Sequence, residues 1–191
     1  MNAAAIILAG GRGSRLGGVH KPGLELGGRT LIARAAAAVR GGGCAPIVAV
    51  GPVMDDVDVD AWVREEPPFG GPAAGLGAGV RWFGPDAPAW VLVLAADLVR
   101  PEAVVQALAA AAPGPDGAVL VDEDGQPQWL AARYRLAALR DAIQGADLVD
   151  SSLRRLVGRL DLARVAAPST TTSDIDTWED LEHARDESPG T

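Results

Sequence analysis

Apolar residues along this chain fall into short unbroken runs, separated by glycine and proline breaks and alternating with stretches of helical spacing. Ala4–Ala9 is the first run. Its β-branched Ile6 and Ile7, closed by Gly10 and Gly11, predict a central strand of a parallel sheet. Leu31, Ile32, Ala35 and Val39 then recur at helical spacing, with Thr30 as cap and Gly41-Gly42-Gly43 as stop. Pro46–Val50 predicts the next buried strand. Glu65 and Glu66 close a short strand, and a small-residue helix begins near Pro72, where a missing N–H does no harm. Trp90–Asp97 is the most hydrophobic strand. A helix over 102–112 ends at Pro113-Gly114, and the runs 118–121 and 129–132 form a hairpin turning at Gly125.

The C-terminal third continues in the same rhythm. Helices are predicted over 136–143 and 152–157, the second capped by Ser151 or Asp150, and a strand over 162–166. Thr177 enters the last helix, and Asp180 three residues on completes a capping box. Strand–helix–strand units of about 30 residues are the signature of a parallel α/β sheet. No repeat or composition break divides the 191 residues, so one domain is expected over 1–191, with 186–191 a flexible tail.

The loop after the first strand carries the chemistry. Gly10, Gly11 and Gly13 allow backbone conformations with N–H groups converging on one ligand. Arg12, Arg15 and Lys21 place three cations around it. Such a loop suits a polyanion, most simply a nucleoside triphosphate. It is not a Walker A loop, because Val19-His20 separate Gly18 from Lys21 and Pro22 follows. Nor is it a dinucleotide fingerprint, because Leu16 stands where the third glycine is needed. Of 17 Lys plus Arg, Lys21 is the one lysine. A compact ammonium approaches a phosphate oxygen as a point charge where a planar guanidinium cannot.

Composition removes several classes of function. A net charge of −8 opposes bulk nucleic-acid binding, which needs a basic face, yet leaves room for a local cationic pocket. Cys44, the single cysteine, excludes an internal disulfide and a cysteine-clustered metal site. No basic segment precedes the first apolar run, and no run approaches the roughly 18–20 residues of a membrane span, so a cytoplasmic protein with no membrane partner is expected.

Two other stretches stand out on physical grounds. Gly75, Gly77 and Gly79 are poor helix formers inside a predicted helix. They serve either close approach of the backbone to a flat ligand or tight helix–sheet packing. Asp97 ends the Trp90 strand, at the sheet rim where open α/β folds bind ligands. There it either holds Mg²⁺, a hard cation that takes oxygens from one or two acids plus phosphates, or caps the helix beginning near Pro101.

The first loop resembles the Leu-Ala-Gly-Gly-x-x-x-Arg-Leu/Met-Gly-Gly-x-x-Lys signature of MobA-like nucleotidyltransferases, matched by Leu8, Ala9, Gly10, Gly11, Arg15, Leu16, Gly17, Gly18 and Lys21. Gly71-Pro72-Ala73-Ala74-Gly75 is similar to the family's Gly-Pro-Leu-Ala-Gly. Asp174-Ile175-Asp176-Thr177 with Glu179-Asp180-Leu181 resembles its terminal Asn-Ile-Asn-Thr-x-Glu-Asp-Leu, acids replacing both asparagines. The resemblance runs from Ala4 to about Ala184. It implies a three-layer α/β/α Rossmann-like, GT-A-like domain with a mostly parallel sheet. It also implies Arg15, Lys21 and Asp97 as catalytic residues, and Asp97 as the ligand of a Mg²⁺ cofactor. Nucleotide binding falls to Leu8, Ala9, Gly10, Gly11, Lys21, Glu66, Gly71, Pro72, Gly75 and Asp97. Glu66 is preferred and Glu65 is its rival for the acid before the Gly-Pro motif, while Asp174 or Asp176 is a candidate to join the metal.

Departures are plain. Ala96 replaces the family's Cys before Asp97, His20 replaces an acid before Lys21, and the family's acid at position 66 is usually aspartate. Arg133-Tyr134-Arg135 is similar to the acceptor-side segment of the family. A basic pair beside an aromatic suits a phosphorylated ring-bearing acceptor, though such residues equally flank a helix start.

The activity this resemblance implies is transfer of GMP from GTP to the phosphate of molybdopterin, with release of pyrophosphate. The implied partners are GTP, a molybdopterin-type acceptor and, transiently, molybdoenzyme-maturation proteins. A cytidylyltransferase, a sugar-phosphate nucleotidyltransferase and a non-catalytic nucleotide-binding protein are the competing readings.

Overall fold

The computed structural model describes residues 2–10, 21–175 and 177–187. Its strands are β1 (Ala3–Leu8), β2 (Glu25–Leu26), β3 (Arg29–Thr30), β4 (Cys44–Val50), β5 (Ala61–Val63), β6 (Trp90–Ala95), β7 (Gly117–Val121), β8 (Pro127–Arg135) and β9 (Leu162–Ala166). Helices are α1 (Leu31–Gly41), α2 (Pro72–Trp82), α3 (Pro101–Ala110), α4 (Leu136–Ile143), α5 (Leu153–Val157), α6 (Ser169–Thr172) and α7 (Trp178–Glu187).

The described strands form a seven-stranded sheet in the order β5-β4-β1-β6-β8-β7-β9, with β2 and β3 a separate two-stranded ribbon. β1 pairs in parallel with β4 and with β6, and β7 with β9, whereas β8 runs antiparallel between β6 and β7. Every residue of β1 is buried, as a strand covered on both faces must be. On one face Ala5, Ile7, Leu92 and Leu94 pack under α1 and α3; on the other Ile6, Leu8, Val91 and Val93 pack under α2, α4 and α5. These are the three layers.

Several local choices explain themselves. Thr30 caps α1, its hydroxyl accepting from Ala33 N–H at 3.3 Å. Thr177 Oγ1 accepts from Asp180 N–H while Asp180 Oδ2 accepts from Thr177 N–H at 2.7 Å, the reciprocal box that opens α7. The cap of α5 is Ser152, whose Oγ accepts from Arg155 N–H, and neither Ser151 nor Asp150. Asp150 is instead turned to φ 53°, with its N–H on Gly70 O at 2.8 Å. The acidic loop has a structural duty too. Asp58 and Asp60 pair with Arg40 at 3.1 and 3.2 Å, and Asp60 also accepts Ile47 N–H at 2.7 Å, tying the end of α1 to β4.

The glycines of α2 answer the question the sequence left open. A Cβ at Gly79 would stand 2.9 Å from Ile6 Cγ2, one at Gly75 2.9 Å from Leu8 Cδ2, and one at Gly77 would strike Leu148. Helix and sheet are packed too closely for any side chain there.

Candidate functional site

Chain connectivity locates the site. From β1 the chain crosses through α1 to β4 on one side; from β5 it returns through α2, over the opposite face, to β6 on the other side of β1. The chain therefore diverges between β1 and β6, and in open α/β sheets ligands bind in the crevice outside the strand ends at such a switch point.

Gly10 and Asp97 occupy that crevice. Ala9 N–H donates to Val50 O at 2.8 Å, and Ala96 N–H donates to Leu8 O at 3.0 Å, so the ends of β4, β1 and β6 stay in step past the last ladder pair. Leu8 and Ala9 are buried, and their side chains serve the core rather than a ligand. Gly51 lets this rim close up: a Cβ there would stand 2.9 Å from Ala9 O, and its φ is 151°. Nothing in the sequence distinguishes Gly51 from any other glycine that ends a strand. Gly11 and Arg15 lie outside the described residues.

Lys21 opens a short 3₁₀ turn, Lys21–Gly23, that packs at the start of α1. Leu24 N–H donates to Lys21 O and Leu31 N–H to Leu24 O, each at 2.9 Å, so the turn is fixed to the helix. Asp97 is half-buried just beyond β6. Its carbonyl accepts Ile175 N–H at 3.1 Å, Val99 N–H donates to Ser173 O at 2.9 Å, and Leu98 bridges Asp174. The backbone thus lays 173–175 along 97–99, with Asp174 opposite Leu98 and Ile175 opposite Asp97. Asp176 lies outside the described residues. Asp97 does not cap α3, whose N-cap position is Arg100.

The two acids before α2 part company. Glu65 is 8% exposed and Glu66 faces solvent. Glu65 Oε1 accepts Phe69 N–H at 3.0 Å and lies 3.8 Å from where a Cβ on Gly10 would begin. The loop turns Glu65, the rival acid, toward the glycine segment and leaves Glu66, the preferred one, in solvent. Gly71 is the N-cap of α2 at φ 89°, a conformation that suits glycine, and Pro72 follows at the first turn. Both lie on the site's rim. Gly75 is one turn deeper, filled against Leu8 and Val50, and is a packing residue.

Arg133-Tyr134-Arg135, the candidate acceptor-side segment, lies away from Asp97. Because β8 is antiparallel to β6, Arg135 pairs with Trp90 at the start of β6, on the rim opposite Asp97. Arg133 and Arg135 stack on the Trp90 ring at 5.6 and 4.7 Å from its centroid, and donate to Ala111 O and Pro115 O. Burial lowers the Arg133 pKa. Tyr134 is fully buried, its hydroxyl on Trp129 O at 2.9 Å. The end of this hairpin on the site's side is Asp122–Trp129, where Asp122 accepts Gln126 N–H at 2.8 Å and Gln128 Nε2 at 2.8 Å.

Among the described residues no group of three or more His, Cys, Asp or Glu is arranged to hold a metal, and no helix is long and apolar enough to cross a membrane. Mg²⁺ needs no such cage, since it takes one or two carboxylates and completes its shell with water and phosphate. The half-buried carboxylate of Asp97 at the rim is compatible with that demand.

Comparison with known proteins agrees with this geometry. Residues 5–165 match the family described as MobA-like NTP transferase domain. A protein of Rhodobacter capsulatus named molybdenum cofactor guanylyltransferase is 34% identical, over 97% of this chain and 96% of its own. One of the same name from Pseudomonas putida is 33% identical, over 78% of this chain and 88% of its own. Among solved structures, a nucleotidyl transferase from Methanothermobacter thermautotroptrophicus superposes with a TM-score of 0.73 at 24% identity, covering 97% of this chain and 96% of that one. Molybdopterin-guanine dinucleotide biosynthesis protein A from Archaeoglobus fulgidus gives 0.61 at 22% identity, covering 96% and 97%. Those two likenesses show the fold; the family match and the curated relatives go further, and with a glycine segment and an aspartate at the switch point of a mostly parallel sheet, this chain belongs to the MobA-like NTP transferase family.

Proposed function

We propose that the chain is a molybdenum cofactor guanylyltransferase, transferring GMP from GTP to the terminal phosphate of a molybdopterin-type acceptor. The observation that carries this reading is the placement of Gly10 and Asp97 on adjacent strand ends, joined through Ala96 N–H and Leu8 O at 3.0 Å. An anion-binding backbone and a carboxylate for a hard cation are thereby presented to one ligand.

The chemistry needs little else. An oxygen of the acceptor phosphate attacks the α-phosphorus of GTP, the bond to the oxygen bridging to the β-phosphorus breaks, and pyrophosphate leaves. The nucleophile is already anionic, so no general base is required, and catalysis is alignment and charge stabilisation. Backbone amides at Gly10 and Gly11 with Arg15 and Lys21 hold the triphosphate and its leaving group. Asp97 would supply oxygens for Mg²⁺, with Asp174 on the adjoining segment the candidate second acid, and the ion when bound would neutralise charge on the phosphates.

Glu65 gives the site a reason to prefer guanine. A carboxylate accepts two parallel hydrogen bonds, and guanine offers two adjacent donors, its ring N–H and its exocyclic amine. Adenine and cytosine have no such pair. Gly71 and Pro72 shape the rim beside it.

The test is turnover by Lys21→Ala and Asp97→Ala. Each is expected to lose at least about 100-fold in rate with the fold retained. Wild-type rates in both would sink the assignment. Turnover with CTP in preference to GTP would keep the chemistry and move the substrate.

A further inference from the structure

Arg34 stands on α1, away from the glycine segment, and no part of the proposed reaction uses it. Its guanidinium nevertheless reaches across two chain segments that matter. Nη2 donates to Val99 O at 2.9 Å, 65 positions along the chain, and Nη1 to Leu26 O at 3.4 Å. Val99 follows Asp97 by two residues. Leu26 lies in the ribbon that continues from the Lys21 turn.

The same first turns of α1 also anchor Lys21 directly, through Leu31 N–H on Leu24 O and Leu24 N–H on Lys21 O. Leu26, Leu31, Val99, Ile175, Leu181 and Ala184 form a small apolar cluster of their own, apart from the two cores that cover the sheet. Arg34 therefore bonds to two of the segments that meet there. The third, Ser173–Ile175, is held by the backbone of Asp97 and Val99.

Apolar packing alone does not account for an arginine here. Arg34 Nε is buried with no hydrogen-bond partner among the described residues, and a buried donor left unpaired is unfavourable. Methionine would fill the same space without it. What methionine lacks is the planar fork that fixes two carbonyls at once.

We propose that Arg34 is a positioning residue that sets the Lys21 turn against the end of β6. The cation for the triphosphate and the carboxylate for the metal are thereby held in one geometry. The proposal rests on the roles given above to Lys21 and Asp97. A misplacement of about 1 Å at such a site lowers rate by about 100-fold, so loss of the fork acts on turnover and metal use more than on nucleotide capture.

The experiment compares the wild-type protein with Arg34→Met, which keeps the volume, and Arg34→Lys, which keeps the charge and can reach one carbonyl. GTP binding is titrated with and without Mg²⁺, kcat and KM are measured across Mg²⁺ concentrations, and melting temperature is recorded. Expected for Arg34→Met is GTP affinity without Mg²⁺ within about 2-fold of wild type, kcat down by roughly 10- to 100-fold, and a several-fold higher Mg²⁺ requirement. Arg34→Lys should recover part of the rate. Wild-type kcat and Mg²⁺ requirement in Arg34→Met, whatever its melting temperature, would overturn the proposal. If Arg34→Met does not fold, wild-type kcat in Arg34→Lys overturns it equally. Absence of turnover in the wild-type protein would sink the functional reading alone. The positioning role is then read from Mg²⁺-linked GTP binding, which must differ between wild type and variant.

Discussion

The carboxylate of Glu65 lies against Gly10, its Oε1 3.8 Å from the point where a side chain on that glycine would begin. That single approach joins the loop before α2 to the loop after β1. It also separates two neighbouring acids that look alike in sequence. Glu65→Gln keeps an oxygen for Phe69 N–H and removes the charge. GTP affinity should fall by about 10- to 100-fold, the value of a hydrogen bond to a charged group, with affinity for other triphosphates little changed. Glu66→Gln should bind GTP within about 2-fold of wild type. Calorimetric titration of both variants decides the matter, and the reverse pattern would return the role to Glu66.

The glycines of α2 give a stability test that needs no ligand. Gly79→Ala puts a methyl 2.9 to 3.2 Å from three atoms of Ile6 in the middle of β1. Overpacking of this kind costs about 1–3 kcal/mol, against the roughly 1 kcal/mol that alanine gains over glycine in a helix. With three atoms of Ile6 in the way the cost falls at the upper end of that range, and urea unfolding should show a net loss of about 1–2 kcal/mol. Gly84→Ala, with open space around the position, should change stability by less than about 0.5 kcal/mol. Equal stabilities for the two variants would contradict the packing described.

Tyr134 is the chain's one tyrosine, so its ionisation can be read without interference. Burial pushes its phenol well above the ordinary value of about 10. Below about pH 10 the phenol is neutral whether the chain is folded or not, and there is no penalty. Above that, the unfolded chain gains by ionising and the folded chain does not, so stability falls as pH rises. Ultraviolet absorbance should show no tyrosinate in the folded protein at about pH 11 and a normal titration in denaturant. Tyrosinate appearing near pH 10 in a protein that is still folded would contradict the burial.

Much of this was legible in the chain. Runs such as Ala4–Ala9 and Pro46–Val50, short, β-branched and closed by glycine, read as buried strands. Thr30 and the Thr177–Asp180 pair marked helix starts by their own chemistry. The site's place followed from the same logic, because a glycine loop after the first strand and an acid after the strongest one share a rim. What was hidden was three-dimensional. Glu65 and Glu66 differ only in which way a loop turns them. Gly75 reads the same whether a ligand or Leu8 lies opposite, and only the helix-to-sheet distance separates the two. Arg133-Tyr134-Arg135 carried the chemistry of an acceptor site, but the antiparallel course of β8 takes it to the far rim. The segment 173–175 could not be placed along 97–99 without the bridge at Leu98. Arg34 gave no signal, since an arginine on a helix is ordinarily a solvated charge.

The central claim is transfer of GMP by a site made of the Gly10 loop, Lys21 and Asp97. It is tested most directly by incubating the purified protein with molybdopterin, each of GTP, CTP, ATP and UTP, and Mg²⁺, and measuring pyrophosphate release. The account predicts release with GTP that requires both Mg²⁺ and the acceptor, and that falls at least about 100-fold in Asp97→Ala. Release that is indifferent to Mg²⁺ or unaffected by Asp97→Ala, or no release with any nucleotide, would contradict it.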